Sequence, residues 1–496
     1  MICISIVQES RRFALVDMLN ASRQCDLLEV RLDHFSKAPD ISELLGAKPK
    51  PVIFSCRRPQ DGGFWEGSES DRLALLRQCI IGKAEYCEIE LDVADQIRKF
   101  PPTKRVISYT NLQETPSNLA EIYAECQKKS PDVIKLTTLA RTPEEAWPLI
   151  QIMVKPALPT VVVGLGKPGL MLSVLGKKIG SPWTYAALER GMEAYPGQPT
   201  VHDLTNVYHY HSIQKNTRLV GMTGFTDLEY FNTAALNAAF THLESNTRCL
   251  PIQVGNVKLF SKVINLVKLV GVVIDEDHRK AILEIAGEAE PAATQARSAD
   301  LLVNQGDKWQ AYNLLGRAAA DALKSAMQAR GAGDQPLKGR TVMIVGANST
   351  ARGMTSIVQK LGGIPIIASH SRDAALELAQ AYGCRQCPFE SLFTTRHEVL
   401  IVCSEDKEHL KGKVAAAQGQ VHSGYLSPDM AVMDLTRMPR RTTLTRDAEK
   451  RGCIVVPPRQ VLLNLLELQV RLLSGKNVPR ATLDEVWNSL VQDEDE

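Results

Sequence analysis

No stretch of the 496-residue sequence is long and apolar enough to span a membrane, which takes roughly 20 such residues. No basic block stands out, and a net charge of +2 leaves no electrostatic footprint for nucleic acid, so small molecules are the expected ligands. The eleven cysteines are scattered and odd in number, which argues against a disulfide framework and points to a reducing cytoplasm. The one CxxC pair, Cys384 and Cys387, has no second pair nearby, whereas a structural zinc needs about four ligands, so no metal is expected. The first ten residues, Met1–Ser10, lack the basic start and small-residue cleavage site of a signal peptide and read as a first strand. There is no internal repeat. The acidic end, Asp493–Glu496, reads as a frayed tail.

What is present is an ordinary globular composition, 44% hydrophobic and 23% charged, at a length that calls for two or three domains. Short apolar runs recur at Ile2–Val7, Leu27–Leu32, Val52–Cys56, Tyr86–Leu91, Arg105–Tyr109, Val133–Leu136, Val161–Gly164 and Trp183–Ala187. Helical patterns such as Asp71–Ile81 and Ser117–Gln127 lie between them. About eight such βα units within ~200–250 residues predict a closed (β/α)8 barrel, and no Gly-rich fingerprint follows the first strand to favour an open sheet. Barrel chemistry sits at the C-terminal strand ends. The polar residues there are Glu29, Arg31 and Asp33, then Arg57 and Asp61, then Glu88, Glu90 and Asp92, then Thr110 and Asn111, with Lys135 ending the sixth strand. A lysine emerging from an apolar barrel is partly desolvated, which favours the nucleophilic amine of Schiff-base chemistry. A lysine snorkelling to solvent is the other reading of that position.

Tyr195–Pro199 and a last helix around His202–His211 close this half, and a second unit opens with Arg218–Met222. Helical patterns follow at Thr233–Leu243 and Trp309–Met327, then a hinge at Arg330–Gly339. The next segment has Rossmann form: strand Thr341–Val345, a glycine turn, a helix, and strand Ile364–Ala368. Expected boundaries are 1–213 for the barrel, 216–332 with C-terminal helices 460–490 for a substrate domain, and 336–459 for the dinucleotide-binding domain. The turn Gly346-Ala347-Asn348-Ser349, with Arg352 on the helix, is a GxGxxA motif whose second glycine is Asn348. Backbone N–H groups and the helix dipole would hold a pyrophosphate there, though Asn348 places a Cβ where backbone normally approaches phosphate. An empty Rossmann fold stays open as the alternative. Where NAD enzymes carry an acid for the ribose, this chain has Ser369-His370-Ser371-Arg372, which favours NADP over NAD.

The segments Glu29-Val30-Arg31-Leu32-Asp33, Arg57 through Asp61-Gly62-Gly63, Glu88-Ile89-Glu90-Leu91-Asp92, Asp132-Val133-Ile134-Lys135 and Pro196-Gly197-Gln198-Pro199 fall in the order and spacing of type I 3-dehydroquinate dehydratases, which the first half resembles. The resemblance implies that Lys135 forms an imine with the substrate ketone. It implies that Glu29, Arg31, Arg57 and Gln198 contact substrate, and that Asp61 stands for the family glutamate. The chain also departs from that pattern. The proton-shuttling histidine is replaced by Thr110, which is no base near neutral pH. The carboxylate-binding arginine has no counterpart around Gly169–Val174. The serine before Pro-Gly-Gln is Ala194 or Tyr195, and His34 is the histidine that could approach the site.

The rest of the chain resembles shikimate dehydrogenase through Val220-Gly221, Leu236–Phe240, Leu301–Asn304, Ala311–Asn313, Gly346–Arg352, Asp434-Leu435, and Gln469 with Leu473–Gly475. The resemblance implies an α/β substrate domain, a Rossmann domain, NADP as cofactor and Gln469 at the substrate. The implied function is in the shikimate pathway of aromatic amino acid biosynthesis: 3-dehydroquinate is dehydrated and 3-dehydroshikimate is then reduced with NADPH. Against it, the paired serines become Thr226–Glu229, where Asp227 and Glu229 would repel a carboxylate. The catalytic lysine becomes Arg279 in Asp277-His278-Arg279, its aspartate partner Leu315, an asparagine Asp300 and a glutamine Asn464. His278 could stand in for the lysine. A catalytically degenerate homologue that binds or regulates is therefore the alternative function. Oligomeric state stays open.

Overall fold

The structure is a computed structural model that describes residues 1–37, 39–404 and 421–491. The acidic tail Asp493–Glu496 lies outside them. The chain divides into two compact units: Met1–Thr217 with Leu250–Lys268, and Arg218–Cys249 with Leu269–Glu496.

The first unit is built on eight parallel strands: β1 (Ile2–Ile6), β2 (Leu27–Arg31), β3 (Val52–Ser55), β4 (Tyr86–Glu90), β5 (Lys104–Asn111), β6 (Val133–Leu139), β7 (Thr160–Leu165) and β8 (Thr184–Ala186). Their order β7-β6-β5-β4-β3-β2-β1-β8 nearly closes the barrel expected from the sequence. Four of the six α-helices described between the strands begin on a side-chain cap, Ser10, Asp40, Ser68 or Thr142. The helix Glu69–Ile81 starts on Ser68, whose side chain accepts from Asp71 N–H, carries Glu69 and Asp71 in its first turn and ends at Gly82. Alternation along the strands then decides what enters the barrel. Cys3, Leu27, Ile53, Val106, Val133, Val161 and Trp183 form an apolar plug. Two residues further along their strands, Ser5, Glu29, Ser55, Ser108 and Lys135 form a polar layer above it.

Two expectations are corrected in this unit. Lys135 does not end its strand but is third of the seven residues of β6, because Leu136–Leu139 continue to pair with β7. The segment expected as a helix around His202–His211 is a π-helical turn, Asp203–Val207, and a 3-10 turn, Tyr210–Ser212, broken at His209 with φ +48°.

The second unit holds a mixed sheet and a parallel one. The mixed sheet comprises β9 (Arg218–Met222), β10 (Thr247–Pro251), β11 (Leu269–Val273), β12 (Glu288–Ala289), β13 (Leu301–Asn304) and β14 (Trp309–Tyr312), ordered β10-β9-β11-β13-β14-β12. The parallel sheet comprises β15 (Thr341–Val345), β16 (Ile364–Ser369), β17 (Arg385–Pro388), β18 (Val399–Val402), β19 (Ala431–Asp434) and β20 (Ile454–Val456), ordered β17-β16-β15-β18-β19-β20. That is the doubly wound Rossmann order. Both faces of β15 are buried, Val342 and Ile344 in one core and Met343 and Val345 in another. The helix expected over Trp309–Met327 is in fact β14 followed by a helix, Leu315–Ala329. Trp309 to Tyr312 alternate between buried and half-buried, the period of a strand.

Candidate active site

In the barrel, Lys135 is 2% exposed. Ser108 is its register partner on β5, and Glu90 is the partner of Ser108 on β4, so Glu88, two residues earlier, shares the inward face. Lys135 Nζ donates to Glu88 Oε2 at 2.8 Å, lies 3.7 Å from Glu29 Oε1 and stands 4.6 Å from the ring centre of Tyr185. Burial is therefore not the only force on this lysine, because two carboxylates meet its ammonium. Glu29 also accepts from Ser5 Oγ (2.5 Å), Ser55 Oγ (3.0 Å) and Arg57 Nη2 (2.5 Å). Burial opposes its charge, but Arg57, Lys135 and Arg31 outweigh burial and hold the carboxyl well below its ordinary range.

Arg31 grips Asp33 with two hydrogen bonds, of 2.9 and 2.7 Å, and donates to Gly62 O at 3.1 Å. Asp33 in turn accepts from the N–H groups of Arg57 (3.1 Å) and Phe64 (3.0 Å), which ties the loop after β3 to β2. Burial raises the Asp33 carboxyl, and Arg31 with these donors brings it below its ordinary value. Glu90 goes the other way: burial lifts it to about 7 even though Arg72 donates to it at 2.8 Å.

The contacts of Asp61 run elsewhere. It pairs with Arg58 Nε at 2.6 Å, and Arg58 bridges on to Asp92, so among the described residues its ionic partners lie away from Lys135. Gln198 is buried, with Oε1 accepting from Ala194 N–H at 2.7 Å. Its neighbour Gly197 has φ +85°, and a Cβ there would meet Gly166 O at 2.3 Å, so only glycine lets this loop close on the one after β7. Thr110 lies two residues beyond Ser108 on β5, half-buried, on the face Lys135 uses and one rung nearer the barrel mouth. His34 packs edge-on against Phe64, 4.7 Å between ring centres, and burial lowers its pKa.

The sequence reading missed the part Tyr185 plays in this layer. Its hydroxyl and Arg57 Nε are buried without a hydrogen-bond partner among the described residues. Both are donors, so together they offer N–H and O–H groups to ligand oxygens beside Lys135. For Tyr185, its place in β8 two residues after the inward-facing Trp183 was the signal available in the sequence.

In the second unit, a cavity of about 650 Å³ opens where the Rossmann strand order reverses, the usual ligand crevice of such sheets. It is lined by Asn348 and Thr350 after β15, Ser404 after β18 and Thr436 after β19, with Glu276 from the 3-10 turn after β11 and Arg279 at its end. Gly346 has φ +109°, and a Cβ there would lie 2.8 Å from Ser404 Cβ, which accounts for the glycine without a cofactor. The strand order and the crevice fit a dinucleotide, but two of the N–H donors at the helix start are engaged by the protein itself. Ala351 N–H donates to Asn348 Oδ1 at 2.9 Å, and Thr350 N–H donates to Glu276 Oε1 at 2.9 Å. Of the other expected cofactor contacts, Ala347 and Ser349 are half-buried at the turn, Arg352 pairs with Glu377 at 2.8 Å, and Arg372 is exposed at the start of the helix Arg372–Tyr382.

Arg279 Nη1 donates to Glu276 Oε2 (2.6 Å) and to Thr350 Oγ1 (2.7 Å). Leu315 is buried, and its N–H donates to the wholly enclosed Asp300 carboxylate at 2.7 Å; burial raises the pKa of Asp300. His278 Nδ1 lies 2.9 Å from both oxygens of Asp275. The two acids expected to repel a substrate carboxylate separate. Glu229 closes a capping box with Thr226 at the start of the helix Asp227–His242, whereas Asp227 is exposed, 3.9 Å from Arg440. Gln469 is buried on the helix Pro458–Ser474, and its Oε1 finds no donor among the described residues.

Fold and site together define an α/β protein with two units: a (β/α)8 barrel around a buried, carboxylate-paired lysine, and a mixed-sheet domain joined to a Rossmann domain. The family model for type I 3-dehydroquinase matches residues 2–215. A 3-dehydroquinate dehydratase of Methanopyrus kandleri is 33% identical over 185 residues, 36% of this chain and 84% of that protein. The chain belongs to the type I 3-dehydroquinase family. It is also 25% identical, over 97% of its length and 83% of the relative's, to the chloroplastic bifunctional 3-dehydroquinate dehydratase/shikimate dehydrogenase of Arabidopsis thaliana. Among solved structures, the dehydroquinate dehydratase and shikimate dehydrogenase from S. pombe AroM is 17% identical, covers 98% of this chain and 97% of its own, and has a TM-score of 0.42. A shikimate dehydrogenase in complex with NADP+ is 19% identical, covers 56% of this chain and 98% of its own, and has a TM-score of 0.48.

Proposed function

We propose that the barrel dehydrates 3-dehydroquinate to 3-dehydroshikimate through an imine on Lys135, and that the second unit takes up 3-dehydroshikimate and NADP(H), making the chain a fused shikimate-pathway enzyme. The observation that carries this is the buried Lys135 amine within the polar layer, with Glu88 2.8 Å away to accept its proton. The freed amine attacks the ketone, and water leaves to give an iminium. The iminium acidifies the adjacent C–H. Loss of that proton and of the substrate hydroxide, followed by imine hydrolysis, releases product with one water lost overall. Glu29, Arg31, Arg57 and Gln198 shape the pocket, and Asp61 braces the rim through Arg58. The functional partition is 1–213, 216–332 with 460–490, and 336–459. NADPH supplies the hydride to the second unit when bound. Eleven free cysteines support a reducing compartment, and we assign the chain to the cytoplasm.

The test is to incubate the protein with 3-dehydroquinate, reduce with borohydride and map the adduct by mass spectrometry. A reduced adduct on Lys135 is expected. A folded protein that carries none there overturns the assignment.

A second reading, that the second unit binds its ligands but catalyses poorly, is favoured by the engagement of Arg279 with Glu276 and Thr350 and by the burial of Leu315.

A further inference from the structure

In a Rossmann fold, the first N–H groups of the helix after the glycine turn hold the dinucleotide pyrophosphate, because they lack intrahelical acceptors and sit at the positive end of the helix dipole. Here that helix is Ser349–Lys360, and the chain has brought an anion of its own to it. Glu276 Oε1 accepts from Thr350 N–H at 2.9 Å, and Glu276 Oε2 accepts from the Thr350 hydroxyl at 2.5 Å. Glu276 comes from the 3-10 turn Glu276–His278 after β11, 74 residues from Thr350 in sequence, so this is a tertiary contact and not a local cap. Arg279 fixes it in place, with Nη1 donating to both Glu276 Oε2 and Thr350 Oγ1 and Nε donating to Ile274 O at 3.3 Å. Asn348 engages a second N–H of that turn: Oδ1 takes the Ala351 N–H, and Nδ2 donates to Cys403 O at 2.9 Å.

A single N–H cannot serve a carboxylate and a phosphate at once, and the two anions repel each other at that distance. We propose that Glu276 sets the nucleotide affinity of the second unit: its carboxylate occupies the pyrophosphate seat and has to leave before a dinucleotide phosphate is held there. This rests on the proposal that the unit takes NADP(H). It also gives Arg279 a task, clamping the competing carboxylate, in place of the proton transfer that a lysine performs at that position.

The test uses the full chain as wild type, Glu276→Ala and Glu276→Gln, each checked for folding by circular dichroism, with NADP+ and inorganic pyrophosphate titrated separately by calorimetry. Glu276→Ala vacates the seat and is expected to bind both ligands at least tenfold more tightly than wild type. Glu276→Gln keeps an acceptor but loses the charge and is expected to fall between. If wild type and Glu276→Ala bind NADP+ equally well, Glu276 does not compete and the inference is overturned, while the nucleotide assignment stands. If neither folded protein binds NADP+ or pyrophosphate, the seat takes no phosphate even when vacated, and the inference and the nucleotide assignment fall together.

Discussion

On the proposed reading of the barrel, Thr110 stands where a proton-transfer group is expected. The position faces the same side as Lys135, one rung nearer the mouth, yet a threonine hydroxyl neither gives nor takes a proton readily at neutral pH. A positioned acid/base group contributes about 10²–10⁴-fold. Thr110→His is therefore expected to raise 3-dehydroquinate turnover by at least about tenfold, measured by the steady-state appearance of the conjugated enone. A folded variant that is no faster would show either that position 110 is not the proton-transfer position or that too much of its supporting shell is gone. Glu276 works at the same scale, one carboxylate deciding whether a helix terminus is available to a ligand. Its role was not legible in the sequence, because an acid in a short turn announces nothing until folding brings a helix start to it.

The strands were the most legible elements. β9 and β15 run as expected, and the barrel strands differ from expectation by a few residues at their ends, because short apolar runs between turn residues leave few alternatives. Trp309–Tyr312 was harder: four residues of alternation are too short to stand out beside the apolar periodicity of the helix Leu315–Ala329. The layering inside the barrel follows from strand parity once the register is known, and this is why Glu88, visible as a strand-end acid, could not be assigned to Lys135 beforehand. That layer links folding to pH. Glu29 and Asp33 have lowered folded pKa values, so the stability they add is fully present above their ordinary values of 4.5 and 3.8 and is lost as pH falls through the lowered ones. Glu90, lifted from 4.5 to about 7, has the opposite sign: the folded state keeps a proton that the unfolded chain has released, so stability falls as pH rises through that window. Urea unfolding between pH 5 and 8 is expected to show wild type losing on the order of 2 kcal/mol more than Glu90→Gln, at 1.36 kcal/mol per pKa unit. Parallel profiles would mean that another group titrates there.

For the whole chain, the decisive comparison is between the two halves. In the first, a buried amine has carboxylates beside it, whereas in the second the positions expected to move a proton carry Arg279 and Leu315. Hydride transfer to a ketone leaves an alkoxide that needs a donor. A guanidinium is no proton donor to an alkoxide near neutral pH, Arg279 is committed to Glu276, and Leu315 has nothing to give. The full-length protein is therefore expected to reduce 3-dehydroshikimate with NADPH far more slowly than the ordinary turnover of about 10 per second, while dehydratase activity is measurable in the same preparation. An ordinary rate would instead show that another group, His278 beside Asp275 first among the candidates, has taken over the proton transfer.

The polar layer of the barrel also determines how a charged ligand enters. Arg31, Arg57 and Lys135 are cationic, Glu29, Asp33 and Glu88 are anionic, and they meet as Arg31 with Asp33, Arg57 with Glu29 and Glu88, and Lys135 with Glu88 and Glu29. Their charges cancel, so the layer acts as a small ion exchanger and not as a long-range attractor of anions. If the layer takes the proposed substrate, a carboxylate on it would gain little long-range attraction on approach. In the proposed imine the positive charge would remain on the same nitrogen, and the carboxylates beside Lys135 would balance the iminium as they balance the ammonium.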